Sequence, residues 1–288
     1  MSYIQVAYAS RMGDRRVPEP WQPALDAWEG WLKASGAPAT TIEQRLYQLR
    51  RFATDHATLT PWHVSLDHLV LWLARHEHWK PATRRAYRGA LRAFYAWAIA
   101  AGHLEKSPAA ALPRVKATRG LPRPVPEDVL RAAVARADDR VRLILLLAAY
   151  GGLRRAEIAE VRRQDAWRDD DGGWWLRVHG KGDAYRDVPL TGALAMAIRA
   201  LPPGWLFPSP TRHGDHLTPA HVGVLTSRLL PEGWALHTLR HRFATRAHAR
   251  GADVAVIAEL LGHANLENVR VYTRIGHDKL RSAVEGAA

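Results

Sequence analysis

Apolar residues in the first hundred positions recur at three- and four-residue intervals, the spacing that puts side chains on one face of a helix. Leu25, Trp28 and Leu32 form one such set, and Gly36 follows them as a stop. The pattern predicts four helices: residues 21–34, a helix opened by the cap-like pair Thr40–Thr41, residues 65–76 and residues 81–101. Four amphipathic helices in succession predict a small helical bundle.

The composition changes between residues 108 and 126, where prolines alternate with arginines and lysines. Proline excludes helix and stiffens a segment, so we expect a domain boundary near residues 113–124. The basic side chains suit a strap along DNA, with an ordinary solvated linker as the alternative. The predicted segments are a basic leader at 1–19, a helical domain at 20–113, a basic proline-rich linker at 114–124 and a second domain with a C-terminal tail at 125–288.

The second domain combines helices with one predicted hairpin. An apolar helix over residues 141–150 runs into Gly151–Gly152. Residues 174–178 and 185–190 alternate like strands on either side of Gly180-Lys181-Gly182, a hairpin turn signal. Helices are predicted from there to the end. The expected fold class is therefore mainly α with a small antiparallel β-sheet.

The composition limits the number of domains, the kinds of metal site and the partners that the chain can have. The 288 residues suffice for two domains, and the absence of cysteine excludes disulfides and thiolate metal sites, which fits a reducing cytoplasm. The N-terminus lacks the pattern of a signal peptide, and no apolar run reaches the length of a membrane span. The formal net charge of +13 predicts a polyanionic partner, with arginine-rich codon usage in a GC-rich genome as the alternative.

Two pairs of residues have the spacing of neighbours on a helix, and one of these pairs can share a phosphate. His237 and Arg240 stand three residues apart, which puts them on one face if a helix begins there. Arg154 and Glu157 have the same spacing and can form a salt bridge, whereas Arg155 is the neighbouring alternative to Arg154. A guanidinium binds phosphate oxygens in pairs at any working pH, and a histidine can move a proton near neutrality.

Three further residues can supply the remaining chemistry. Lys181 brings a mobile charge to the tip of the predicted hairpin. His263 directly follows Gly262, which ends an amphipathic helix over residues 253–261. Tyr272 lies in the next predicted helix, and its hydroxyl can attack phosphorus and keep the bond as a phosphotyrosine. Taken alone, Lys181 fits an ordinary turn and Tyr272 a half-buried core position.

Together these elements resemble the tyrosine recombinase (phage integrase) family. The matching segments are Gly152-Leu-Arg-Arg-Ala-Glu157, Gly180-Lys-Gly182, His237-Thr-Leu-Arg-His-Arg-Phe-Ala-Thr245, Leu261-Gly-His263 and Val271-Tyr-Thr273. The resemblance covers residues 121–276 by motif, and five motifs in the right order are specific where each alone is weak. Large integrases carry an extra small N-terminal domain, for which residues 1–20 leave no room. The chain therefore resembles the simple two-domain type, such as chromosome-dimer resolution recombinases and compact phage integrases.

The resemblance implies a role for each residue at the phosphate. Arg154 and Arg240 would clamp the scissile phosphate and stabilise its extra charge in the transition state. His237 would assist proton transfer at the tyrosine, and His263 would donate a hydrogen bond to a phosphate oxygen. Glu157 would support the arginines from behind.

The resemblance also implies the reaction and its setting. Tyr272 would attack to give a 3′-phosphotyrosine, Lys181 would protonate the departing 5′-oxygen, and the 5′-hydroxyl of another strand would reseal the DNA. No metal, ATP or other cofactor would be needed. The bundle would be a SAM-like core-binding domain and residues 125–288 the catalytic domain. The partners would be double-stranded DNA with specific sites and further copies in a tetramer on it, with a related second recombinase as an option, in the cytoplasm at the nucleoid.

Basic helix faces of the bundle are candidates for DNA contact, with solvated helix surface as the alternative. These residues are Arg45, Arg50, Arg51, Arg84, Arg85, Arg88 and Arg92. Most of the 12 tryptophans are expected in the core, whereas Trp62, Trp79 and Trp167 are candidates for the surface. In the tail, Leu280 and Val284 would pack into a neighbouring protomer or belong to a frayed end.

Three other functions fit parts of this pattern. A type IB topoisomerase uses a similar pocket, although the His-x-x-Arg step and the Gly-His before the tyrosine favour a recombinase. A non-catalytic DNA-binding regulator on the same fold would not need all six matching side chains, which are present. A metal site of His213, His216 and His221 lacks carboxylate or cysteine company.

Overall fold

The computed structural model describes residues 17–116, 123–180 and 184–262. The chain divides into two compact units, Met1–Arg119 and Gly120–Ala288. Helices predominate in both, and the described part of the second unit contains a three-stranded antiparallel sheet. The predicted fold class is confirmed. None of the helices in the described ranges is long and apolar enough to cross a membrane.

The described part of the first unit, residues 17–116, contains four amphipathic helices. They are α1 (Gln22–Ala34), α2 (Ala39–Asp55), α3 (Leu66–Arg75) and α4 (Pro81–Ala100). Short 3₁₀ turns at Glu19–Trp21 and Pro61–His63 lie ahead of α1 and α3. The apolar faces meet in a core rich in aromatic rings, where Trp28 packs edge-on against Phe94 with 5.3 Å between ring centres.

Helix α3 has a side-chain cap at its N-terminus, whereas helix α2 lacks the cap that the sequence predicts. Ser65 caps α3, because its hydroxyl accepts a hydrogen bond from the backbone N–H of His68. Helix α2 instead begins at Ala39, directly after Pro38 and without a side-chain cap. The predicted cap pair Thr40–Thr41 therefore lies inside the helix.

Two of the tryptophans that were candidates for the surface lie at the edge of the first core. Trp62 stacks parallel to Phe94 at 6.2 Å, and Trp79 stacks on Tyr87 at 4.3 Å. Both side chains are half-buried, because each packs against the core and keeps part of its surface exposed. Trp167, in contrast, is exposed.

The second unit places helices around a small sheet. Within the described ranges, its helices and strands are α5 (Glu127–Arg136), α6 (Asp139–Tyr150), α7 (Arg155–Ala159), β1 (Ala166–Arg168), β2 (Trp174–His179), β3 (Tyr185–Leu190), α8 (Gly192–Arg199), α9 (Pro219–Ser227), α10 (Leu236–Ala249) and α11 (Val254–Leu261). The strands pair antiparallel in the order β1-β2-β3. Strand β1 was not predicted, because three residues are too few to show an alternating pattern.

The register of the hairpin puts one charged residue on an apolar face. Leu176 lies opposite Val188, and Val178 lies opposite Arg186. Leu176, Val178 and Val188 are buried. Since directly opposed residues project to the same side of a sheet, Arg186 points toward the interior of the second unit.

Helix α6 is the centre of the second core. It is buried over most of its length and packs against α10, the helix that carries His237 and Arg240. The end of α6 at Tyr150 leads directly into the segment that carries Arg154. The packing of these two helices therefore brings the two predicted phosphate-binding segments together.

Candidate active site

A glycine turn directs the chain from α6 to Arg154. Gly152 has a φ of 66°, in the left-handed region that favours glycine. A Cβ atom at this position would lie 2.7 Å from the ring of Phe243 on α10. The backbone of the turn therefore approaches α10 more closely than any other residue would allow, and Arg154 follows at the N-cap of α7.

Arg154 and Glu157 form the predicted pair at the start of α7. The backbone N–H of Arg154 donates to Glu157 Oε2 at 2.7 Å, and its Nη1 donates to Oε1 at 2.5 Å. Arg154 Nη2 also donates to the carbonyl of Gly262 at 3.1 Å. The side chain remains 35% exposed. Arg154 thus keeps an accessible guanidinium whose orientation is fixed by two hydrogen bonds, one to Glu157 and one to Gly262.

Arg240 reaches the same carboxylate from α10. Its side chain is only 3% exposed, and its Nη1 lies 3.6 Å from Glu157 Oε2. Nη1 donates to the carbonyl of Gly152 at 2.6 Å, and Nη2 donates to the carbonyl of Leu261 at 2.5 Å. The structure thus brings together two arginines that lie far apart in the sequence, with Arg154 more accessible and Arg240 buried.

Glu157 is an ionised carboxylate inside this cluster. Burial by itself raises the pKa of Glu157, because a charge loses hydration in the interior. Hydrogen bonds and charge from Arg186, the backbone N–H of Arg154 and the charge of Arg240 outweigh that effect and hold the pKa below its usual value. The prediction that Glu157 orients an arginine is consistent with these contacts, which extend to three arginines.

His237 lies on the first turn of α10 beside the arginine pair. Its ring packs edge-on against His241, with 4.0 Å between ring centres. Partial desolvation, followed by the positive charges of Arg240, Arg154 and Arg155, lowers the pKa of His237. The imidazole is therefore neutral at neutral pH, the form that can accept a proton.

Arg155 takes a different position from Arg154. It is exposed, and its guanidinium lies beside Gly223 of α9. Its contribution to the site is a positive charge near His237. Of the two neighbouring arginines, Arg154 is the one that binds Glu157 and the end of α11.

Arg186 is a member of the cluster that sequence reasoning missed. Its side chain is 11% exposed, and its Nη1 and Nη2 donate to the two oxygens of Glu157 at 2.9 and 2.8 Å. Its Nε donates to the carbonyl of Leu260 at 2.8 Å. The available signal was the alternation of β3, which puts Arg186 on the same face as the apolar Val188.

A second ion-pair cluster ties α5 to α10. Glu127 accepts hydrogen bonds from Arg242 and Arg246, and Arg242 is buried. The Arg242 guanidinium also lies over the ring of Tyr150 at 5.3 Å. These contacts anchor α10, and with it Arg240, to the first helix of the second unit.

Three of the six predicted site residues, Lys181, His263 and Tyr272, lie outside the described residues, as do the predicted helix at 266–275 and the tail residues Leu280 and Val284. The described residues include the immediate neighbours of two of these positions, Gly180 before Lys181 and Gly262 before His263. Gly180 closes the hairpin with a backbone hydrogen bond to Ala184 at 2.7 Å, and Gly262 ends α11 in a left-handed conformation.

Of the three histidines of the metal-site alternative, His213 and His216 lie in a loop region of the second unit, and His221 lies in the first turn of α9. His216 is half-buried against Trp205, with its Nδ1 2.7 Å from the carbonyl oxygen of Leu217. His213 and His221 are both exposed. Within the described ranges, these side chains do not form a cluster of potential metal ligands.

Comparison with known proteins identifies the family. Residues 125–278, the greater part of the second unit, match the phage integrase family. The chain belongs to the phage integrase family. As a member of it, the chain is a site-specific tyrosine recombinase, an enzyme of DNA recombination.

Relatives match over nearly the full chain. Tyrosine recombinase XerC of Rhodospirillum centenum is 33% identical over 301 residues, which cover 92% of this integrase family member and 86% of the relative. Tyrosine recombinase XerA of Pyrococcus horikoshii is 33% identical over 275 residues, covering 91% and 93%.

Solved structures share the fold at lower identity. The XerH site-specific recombinase bound to palindromic difH substrate gives a TM-score of 0.68 at 23% identity, with 88% of this chain and 81% of that chain covered. The Tn1549 transposon integrase in complex with transposon right end DNA gives 0.69 at 18% identity, with 92% and 99% covered. At these identities the likeness concerns the fold alone.

Proposed function

We propose that this recombinase cleaves and rejoins DNA through a 3′-phosphotyrosine at Tyr272, without a metal ion or ATP. The Tyr272 oxygen attacks the scissile phosphorus and gives up its proton, and the bond from phosphorus to the 5′-oxygen breaks. Lys181 protonates that oxygen to yield a free 5′-hydroxyl. The 5′-hydroxyl of a partner strand then attacks the phosphotyrosine and releases the tyrosine. The number of phosphodiester bonds is unchanged, so no energy source is required.

The observation that carries the proposal is the meeting of Arg154 and Arg240 at Glu157. Two guanidiniums beside one carboxylate give a fixed, positively charged surface for the two non-bridging phosphate oxygens. Such charges, oriented before the substrate arrives, stabilise the extra negative charge of the transition state. In this proposal an incoming phosphate first contacts the accessible Arg154 and then also binds Arg240, which is more deeply buried.

His237 and His263 complete the proposed set. A neutral His237 next to the arginine pair can take the proton of the attacking tyrosine, since its pKa is lowered. His263 follows directly after Gly262, whose carbonyl is bound by Arg154. This anchoring of Gly262 supports a position of His263 next to the arginines, from where it donates to a phosphate oxygen.

The proposed partners are duplex DNA sites and further copies of this chain. The net charge of +13 supports binding to a polyanion, and the XerH structure with the same fold is bound to its difH substrate. We assign DNA binding to the helical bundle of residues 20–113 and catalysis to residues 125–288, joined by the basic linker at 114–124. Two recombining sites require four copies, one for each cleaved strand, on the DNA of the nucleoid in the cytoplasm.

Covalent trapping tests the nucleophile. A site-bearing duplex with a nick next to the scissile phosphate loses its 5′-hydroxyl fragment after cleavage, so that the protein stays attached to the DNA. We expect a covalent adduct on denaturing gels with the wild-type chain and with Tyr150→Phe, an exposed tyrosine of the same unit. Tyr272→Phe should bind the duplex normally and form no adduct. An adduct of undiminished yield with Tyr272→Phe would show that the nucleophile is another residue.

Product analysis separates a recombinase from a topoisomerase with a similar site. Two duplexes of different length that carry the same site are incubated with the wild-type chain, and products are sized with and without protease. We expect joint molecules of the two parental halves, in the presence of a chelator and without ATP. Relaxation of a supercoiled plasmid without any joint product would contradict recombination.

A further inference from the structure

The acceptor positions of Glu157 are filled, and Arg186 fills half of them. Oε1 accepts from Arg154 Nη1 and Arg186 Nη1, and Oε2 accepts from the backbone N–H of Arg154 and from Arg186 Nη2. A carboxylate offers about four lone-pair positions. Arg240, whose Nη1 is 3.6 Å from Oε2, therefore remains an electrostatic neighbour outside hydrogen-bond distance.

The charges of the cluster show what Arg186 adds. Glu157 is ionised and buried among Arg154, Arg186 and Arg240. Three guanidiniums against one carboxylate leave two net positive charges, the same number that Arg154 and Arg240 would present to a phosphate by themselves. If Arg186 were neutral, Glu157 would cancel one of those two charges, and its two vacated acceptor positions would compete with the phosphate for guanidinium N–H groups.

Arg186 also shares the last turn of α11 with the other two arginines. Leu260, Leu261 and Gly262 are consecutive, and their carbonyls accept from Arg186, Arg240 and Arg154 respectively. Cations at the C-terminus of a helix are also favoured by the helix dipole. Loss of Arg186 would therefore free both the Glu157 carboxylate and the Leu260 carbonyl, which directly precedes the two carbonyls that bind Arg240 and Arg154.

We propose that Arg186 is a positioning residue of the recombination reaction. It offsets the negative charge of Glu157 and occupies two of its acceptor positions, so that the positive charges of Arg154 and Arg240 remain available to the scissile phosphate. This inference rests on the proposed function, in which these two arginines clamp that phosphate. Arg186 acts through the Glu157 carboxylate, because it donates to both carboxylate oxygens. A purely structural ion pair would stabilise the unit without any specific effect on the charge at the phosphate.

The test compares cleavage rates of full-length variants bound at saturation to the nicked duplex. Arg186→Gln removes the charge, and Arg186→Lys keeps it without the fork that binds both oxygens. Arg177→Gln is the matched control, because Arg177 lies in the neighbouring strand and pairs with the carboxylate of Asp187 on the exposed face. Rates are measured well below the unfolding temperature of each variant, with DNA affinity measured in parallel.

We expect Arg186→Gln to lower the cleavage rate about 10- to 100-fold with nearly unchanged DNA affinity, the order of loss seen when a catalytic group is misplaced. Arg186→Lys should recover part of the rate, and Arg177→Gln should cleave like the wild type. In the Glu157→Gln background, where there is no charge to hold, Arg186→Gln should cost only about 3-fold or less, a non-additivity typical of groups in contact. The loss should also be smaller on a methylphosphonate linkage, which carries no negative charge.

Three results would overturn the inference. They are a cleavage rate of Arg186→Gln equal to that of Arg177→Gln, an equal loss with and without the carboxylate of Glu157, and an equal loss on the phosphate and methylphosphonate linkages. Arg154→Gln and Arg240→Gln separate this failure from failure of the proposed function. If those two variants cleave at the wild-type rate, the clamp itself is wrong; if they lose activity and Arg186→Gln does not, only the positioning role is wrong.

Discussion

Glu157 organises the site at the scale of single residues. Its spacing from Arg154 allowed the sequence to predict their pairing, because residues three apart on a helix are neighbours. Its contacts with Arg186 and Arg240 join residues from three separate segments. No short-range rule predicts such contacts, so the carboxylate that looked like a local partner is a buried hub for three arginines.

His237 gives a prediction for pH at this scale. Partial desolvation and the charges of Arg240, Arg154 and Arg155 lower its pKa from the ordinary value of 6.5, so most of the rings are neutral at pH 6.5 and above, and protonation becomes dominant only at lower pH. The stability that depends on the neutral ring is complete above the unfolded-state value and is lost as the pH falls through the lower folded-state value. The acid limb of the cleavage rate should follow the folded-state value.

Arg155→Gln tests this electrostatic explanation. Removing one of the positive charges should raise the pKa of His237 toward 6.5, and the acid limb of cleavage should move to higher pH with it. The measurement is an NMR titration of the His237 ring, assigned by comparison with His237→Asn, together with the pH profile of single-turnover cleavage. A pKa of His237 that is the same in both proteins would refute the role of Arg155.

At the scale of elements, the packing of α6 on α10 creates the site. Gly152 lets the turn after α6 approach Phe243 of α10, and the same turn supplies the carbonyl that Arg240 binds. The sequence showed where α6 stops, since glycine pairs end helices. It did not show that the turn would lie against α10, because that contact depends on the shapes of two apolar helix faces.

Glu127 provides a stability prediction for this helix arrangement. Glu127→Gln replaces the carboxylate that pairs with Arg242 by a neutral amide, while within the described residues the buried guanidinium keeps its contacts with the Ala149 carbonyl and the Tyr150 ring. We expect the free energy of unfolding of the second unit to fall by about 1–3 kcal/mol, the contribution of a hydrogen bond to a charged group. Urea unfolding followed by tryptophan fluorescence measures it.

Asp128→Asn is the control for that experiment. Asp128 is the next residue in the first turn of α5 and is exposed, so it shares the favourable position at the helix N-terminus with Glu127. Asp128→Asn should change the free energy of unfolding by about 0.5 kcal/mol or less, as is usual for surface positions. Equal effects of the two substitutions would assign the role of Glu127 to the helix dipole and not to Arg242.

At the scale of the whole molecule, the structure divides the candidate DNA-contact arginines of the first unit into two groups, those bound to backbone carbonyls of their own unit and the others. Arg88 donates to the carbonyl of Leu112 through Nε and Nη2, and Arg92 donates to the carbonyl of Ala110. These two side chains hold the segment that follows α4. The remaining candidates for DNA contact include Arg50, Arg51 and Arg84, and the Arg51 guanidinium lies over the ring of Trp79 at 4.8 Å.

Salt dependence distinguishes the two groups. Each phosphate contact contributes about 0.9 to the slope of log affinity against log salt concentration. Arg50→Gln should lower DNA affinity and reduce that slope by about one contact, with little change in unfolding. Arg92→Gln should leave the slope unchanged and lower the thermal stability of the first unit. Fluorescence anisotropy with a site duplex over a salt series measures both slopes, and identical slopes for the wild type and Arg50→Gln would exclude this arginine from the interface.

The sequence by itself determined the two helical regions, the hairpin, the positive charge and the ordered motifs that indicate a recombinase. These features depend on periodicity and on residues a few positions apart, so they can be read directly from the amino-acid sequence. Only the tertiary structure decided that Arg154, Arg186 and Arg240 meet at one carboxylate and at the consecutive carbonyls of Leu260, Leu261 and Gly262, where α11 ends. Contacts between distant segments follow from how α6, α10, β3 and α11 pack, and that packing is a property of the folded core as a whole.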